Sequence, residues 1–148
     1  MADIREQILT RLVTVCAVTG IIAVARNRLD VPLTQRPAVL VNGGGEEVLT
    51  RSPGARFGQV QMMDLTPQIT VLVRADTGDE AGSLLSLFRS RLTNAILADT
   101  TLRTLVTTNG GIRYEGCSEP DPLPESKEPR LELQIVFTYP LKLSDLAA

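Results

Sequence analysis

Four sets of residues have the types and spacing to do chemistry. The first is Gly43-Gly44-Gly45, which follows the aliphatic run "PAVLV" and precedes Glu46 and Glu47. A phosphate-cradling loop leads from glycines straight into a helix N-terminus and usually carries a Lys. Here two carboxylates follow, which repel an anion, and no Lys comes after them. No G-x-G-x-x-G is present, so a nucleotide site is not expected.

The second set is Asp76, Asp79 and Glu80 around Gly78. Calcium loops of the twelve-residue type need ligands at regular positions and a closing Glu, and that pattern is missing. Helix capping accounts better for Asp79 and Glu80. The third set is Cys16 and Cys117, far apart and outside any C-x-x-C. Zinc and thioredoxin-like chemistry are therefore not expected. Two buried free thiols in a reducing compartment is the simpler reading, and a disulfide between them is the alternative. The fourth set is "RNRLD", residues 26–30, the densest charged cluster. It reads either as a solvated loop with Arg28 pairing to Asp30, or as an assembly contact made by Arg forks.

The chain contains no His. That removes the usual general base, the commonest metal ligand and every His-dependent nucleophile system. Paired carboxylates give no catalytic constellation either. Glu46 and Glu47 are adjacent, so on a strand their side chains diverge. No enzyme activity, metal or cofactor is expected.

The elements that would carry these residues follow from periodicity. Ile4, Ile8, Leu9, Leu12, Val13 and Cys16 share one face of a first helix, with Asp3 and Glu6 at capping-box spacing. A short strand runs to about Ala25. Val39, Leu40 and Val41 form a second, continuously apolar strand, which the glycines are expected to break. Residues 58–76 hold the longest strand candidate, where Pro67 marks a bulge, an edge or a break. Thr77 and Glu80 cap a second helix with Leu84, Leu85, Phe88, Leu92 and Ile96 as its apolar stripe. Asp99 caps a short third helix anchored by Leu102, Leu105 and Val106. A strand over "GIRYEGCSE" and a final strand follow. In the latter, Leu131, Leu133, Ile135, Phe137 and Tyr139 alternate with Glu132, Gln134, Val136 and Thr138.

The expected fold is α+β. A mostly antiparallel sheet of about four to five strands carries two main helices and a short third helix on one face. One domain spans residues 1–148. Two excursions stand out: residues 42–58 as a mobile arm or long hairpin, and residues 119–130 as an acidic, proline-rich loop. The candidate contacts with another subunit or partner are Arg26, Arg28 and Asp30 of the charged cluster and Glu46, Glu47, Arg51 and Arg56 of the first excursion.

Composition fits a soluble globular domain, 43% hydrophobic and 22% charged, with an aliphatic core because aromatics make up only 3%. The net charge of −2 lacks the basic surplus of a dedicated nucleic-acid binder. Thirteen of the fifteen basic residues are Arg, which suits protein interfaces and is also what a GC-rich genome encodes. No signal peptide is read at the N-terminus, and "GIIAVA" is too short to span a bilayer.

The chain resembles the tail terminator (tail completion) proteins of long-tailed bacteriophages and related gene transfer agents. The residues that carry the resemblance are the amphipathic first helix, "VARNRLDVPLTQRPAVLV" at 24–41, "LTPQITVLV" at 65–73, "LTNAILADTTLRTLV" at 92–106, "GGIRYEGCSEPDP" at 110–122 and "LELQIVFTYPL" at 131–141. The resemblance implies a hexameric ring at the head-proximal end of the tail tube in the virion. Such a ring stops tube polymerisation and offers the surface that docks on the head-tail connector or neck protein. Genomic DNA passes through its lumen without specific binding, and no membrane is involved. Another neck or head-completion protein is the structural alternative, and a small-ligand binding module is the alternative from another class.

Overall fold

The computed structural model describes residues 3–28, 30–48, 60–74, 77–107, 111–118 and 130–142. In chain order the elements are α1 (Ile4–Val15), β1 (Ala23–Arg26), β2 (Ala38–Val48), β3 (Val60–Leu72), α2 (Gly78–Ala98), α3 (Thr100–Leu105), β4 (Ile112–Ser118) and β5 (Arg130–Lys142). A single 3-10 turn, Leu33–Gln35, lies between β1 and β2.

The helices begin where their caps stand. Asp3 accepts from the Arg5 N–H, Thr77 from the Glu80 N–H and Asp99 from the Leu102 N–H, each satisfying a donor that the first turn leaves free. Glu6 does not complete the capping box predicted for α1. Its carboxylate reaches β1 instead, as described below.

The five strands lie in the order β1-β2-β3-β5-β4. β1 and β2 are parallel, and every other neighbouring pair is antiparallel. The α+β fold with a mostly antiparallel sheet is therefore as the sequence predicts. α1, α2 and α3 send Leu12, Phe88, Leu92, Ile96 and Leu102 into one cluster with Val39, Ile69, Val71, Leu133, Ile135 and Phe137 of the sheet. All three helices thus cover the same face. Each of these side chains is almost wholly removed from water. Burying one of that size contributes about 1.5–3 kcal/mol, so this layer holds the domain together.

A second, smaller cluster joins Val31 to Ala38, Leu40 and Leu72. The connection from β1 to β2 therefore crosses the opposite face of the sheet and covers one end of it. Arg36 is buried there. Its Nη2 donates to Asp30 Oδ1 at 2.6 Å and to the Val31 carbonyl at 3.2 Å.

One expectation is corrected at the glycines. β2 is not broken by Gly43-Gly44-Gly45 but runs through them to Val48. The pairing with β3 instead shifts register between Asn42 and Gly45, opposite Pro67. Pro67 lies inside β3, a central strand, and its missing N–H is accommodated by that bulge rather than by an edge or a break. The proposed arm at 42–58 is therefore a hairpin strand as far as Val48, and residues 49–58 lie outside the described residues. Of the acidic loop at 119–130, only Arg130 is described, as the first residue of β5.

Candidate functional site

The predicted contact residues separate. Arg26 is paired within its own chain. Its guanidinium grips Glu6 of α1 through two hydrogen bonds, Nη1–Oε1 at 2.6 Å and Nη2–Oε2 at 2.8 Å. That bonding holds the Glu6 carboxyl below its usual range. Asp30 does not pair with Arg28. It accepts from the Val31 N–H at 2.8 Å and from Arg36, and these donors lower its pKa in that order. Arg28 keeps an exposed side chain, while its carbonyl accepts from Asn42 Nδ2 at 3.0 Å. Arg51 and Arg56 lie outside the described residues.

Glu46 and Glu47 fall on opposite faces of β2, as adjacent strand residues must. Glu46 sits opposite Leu65, on the helix side, beyond the start of α1. Shielding raises its carboxyl pKa despite the opposing pull of Arg5. Glu47 sits opposite Asp64, on the face that no described helix covers.

That face carries the site. A cavity of about 330 Å³ opens on it. Gly45 and Glu47 of β2, Asp64 and Thr66 of β3, and Arg113 and Glu115 of β4 form its walls, with Val136 of β5 beneath. A polar network crosses three strands at its edge. Thr138 Oγ1 donates to Asp64 Oδ1 at 2.5 Å. Arg113 Nη1 donates to Thr138 Oγ1 at 2.9 Å, and Arg113 Nη2 to Asp64 Oδ2 at 3.4 Å. Arg113 Nε also lies 3.7 Å from Glu115 Oε1. The one guanidinium is thus fixed by two carboxylates and a hydroxyl, while Glu47 keeps no partner among the described residues.

Sequence reasoning did not single out Asp64, Arg113, Glu115 or Thr138. The alternation in β5 does point Thr138 away from the helices, and Asp64 interrupts the apolar "QMMDL". These are signals of the outer face only. The contact between them depends on the order β3-β5-β4, which no local pattern states.

The site offers fixed charge and a concave surface. Among the described residues, no group of three or more His, Cys, Asp or Glu could hold a metal ion. No described helix is long and apolar enough to cross a membrane. Cys16 is buried and Cys117 exposed, and both are free. The expectation of two buried thiols is thus corrected for Cys117, which lies in the edge strand β4. Burial pushes the Cys16 thiol up to about 12, which makes it a poor nucleophile.

The remaining surface feature is the far end of the β2–β3 hairpin. Val48 is 41% exposed and Val60 is 60% exposed. β5 runs beside β3 to this end, with Val60 opposite Lys142. Ile22, 63% exposed, stands at the other side of the sheet just before β1. No protein-family model matches the chain, and no curated protein matches its sequence.

Proposed function

We propose that the chain is a structural ring subunit of the tail-terminator type. Six copies would cap the tail tube, stop its polymerisation and present the head-docking surface, at the head-proximal end of a virion tail. The observation that supports this reading most is the pair of unlike edges on one sheet. A parallel four-residue strand, β1, closes one side, and an antiparallel seven-residue strand, β4, closes the other. A closed ring of head-to-tail contacts requires two different, complementary patches on each subunit. Strand edges are natural material for such patches. The exposed apolar residues at the hairpin end and before β1 add to this.

In this reading the protein has no catalytic role and no cofactor. Its partners are other copies of itself, the tail tube protein and a connector or neck protein. DNA passes the lumen without being gripped, which a net charge of −2 suits. Electron microscopy of the purified chain, with and without tail tube protein, tests the proposal. Six-fold rings capping tube ends are expected. Rings docked only on capsid connectors would assign the chain to a head-completion role instead.

A small-ligand binding module is the second reading, and the cavity on the open face is what favours it. Its volume of about 330 Å³ lies within the range of ligand pockets. Its lining is mostly charged, whereas such pockets are predominantly apolar. The ring reading is preferred for that reason.

A further inference from the structure

The open face around the cavity has an apolar end and a negative middle. Val60, on the same face of β3 as Asp64, is among the most exposed large hydrophobic side chains described. Four residues further along, β3 brings Asp64 opposite Glu47. Like charges directly opposite each other destabilise a strand pair. Thr138 and Arg113 answer Asp64, but nothing described answers Glu47. Around the cavity Glu47, Asp64 and Glu115 face the single cation Arg113. Among the described residues this surface therefore carries an excess of negative charge, with Glu47 unanswered, and has an apolar contact beside it.

The β1 side of the molecule has the opposite composition. Ile22 stands exposed before the strand and Arg28 exposed after it. Arg26 between them is committed to Glu6, so Arg28 is the cation that remains available. Its guanidinium has no partner among the described residues. One large apolar side chain and one unpaired charge occur on each patch, with opposite signs.

We infer that the β1 side of one copy docks on the open sheet face of the next, with Arg28 entering the cavity beside Glu47 and Ile22 packing near Val60. The occupant is a second copy of this chain. The inference rests on the ring reading and gives it a specific contact. The two patches differ, so the contact is head-to-tail and leaves one of each free for the next copy. Arg suits the role because its planar fork meets carboxylates in a bidentate geometry.

A charge swap tests the contact. Self-association of the full chain is measured by sedimentation velocity over a range of concentrations. Wild type, Glu47→Arg, Arg28→Glu, Val60→Asp and the Glu47→Arg/Arg28→Glu double variant are compared. Each single charge reversal is expected to weaken association about tenfold or more, and the double variant to recover most of it. Val60→Asp is expected to weaken association with no rescue from either charge change. Neither charged residue has a partner among the described residues, and Glu47→Arg replaces a like charge opposite Asp64, so the charge variants should unfold no earlier than wild type, which separates misfolding from a lost contact. An assembling wild type with unaffected single variants overturns the contact and leaves the ring reading standing. A double variant no better than the singles also overturns it. A wild-type chain that stays monomeric, with or without tube ends, overturns the contact and the ring reading together.

Discussion

Gly44 lies so close to Thr66 that a Cβ at position 44 would fall 1.6 Å from the Thr66 carbonyl oxygen and 3.0 Å from Pro67 Cα. The neighbours are backbone, so no side chain can swing aside. The bulge between Asn42 and Gly45 therefore requires glycine at 44 for space. Gly43 differs, since a Cβ there would meet only the mobile end of Arg5, its Nη2 at 2.9 Å, the nitrogen that donates to the Gly44 carbonyl at 3.4 Å.

Gly44→Ala is expected to destabilise the fold by about 3 kcal/mol or more, at or beyond the upper end of ordinary overpacking because the neighbours are backbone. Gly45→Ala is the control. A Cβ at Gly45 meets nothing within 4 Å. Its effect should lie within about 0.5 kcal/mol of zero. Urea unfolding of the two variants beside wild type checks the contrast, and equal losses would show that the bulge tolerates a side chain.

Asp99 directly follows the last residue of α2 and ties α3 to α1. It caps α3 through the Leu102 N–H at 2.9 Å, and it receives Arg11 of α1 through Nε at 3.0 Å and Nη2 at 2.8 Å. Asp99→Ala should cost about 2 kcal/mol, combining a lost cap with a partly buried guanidinium left without its carboxylate. The Arg11 bonds lower the Asp99 pKa first, with the Leu102 N–H adding to them against the opposing effect of burial. A depressed native pKa gives stability that is fully present above the unfolded value, about 3.9, and is lost as pH falls through the native value. Unfolding midpoints should therefore drop below about pH 4. Asp99→Asn should show a smaller drop over the same interval.

Thr138 is a buried hydroxyl that both donates to Asp64 and accepts from Arg113. Thr138→Val keeps the shape and removes both bonds. A cost of about 1–2 kcal/mol is expected, because one carboxylate oxygen and one guanidinium nitrogen each lose a partner. A double-mutant cycle with Asp64→Asn should give a non-zero coupling between the two positions. Additive losses would mean that the network contributes nothing as a unit.

The two thiols should separate cleanly by reactivity. Cys117 is exposed, while Cys16 sits in the helix-side core with its pKa pushed up to about 12. A thiol reagent at pH 8 should modify Cys117 at once in the native protein, and Cys16 only after denaturant is added. Alkylation followed by peptide mass analysis reads this out. Rapid native labelling at Cys16 would contradict its burial.

The sequence alone carried the helices, because their signals are local. Asp3, Thr77 and Asp99 each stand immediately before an apolar stripe of helical period, and a cap acts within two or three residues. The alternation from Leu131 to Tyr139 likewise assigned a strand and its buried face, and the missing His set aside whole classes of chemistry before any fold was known. The tertiary structure decided what lies beside what. Sheet order placed Asp64, Arg113 and Thr138 in contact, though each sits on a different strand. Pairing register put Gly44 against Thr66 and turned an apparent chain break into a bulge within one strand. These contacts join residues distant in sequence. They are fixed by how helices and strands pack around one shared core, whereas caps and periodicities are fixed by neighbours a few positions away.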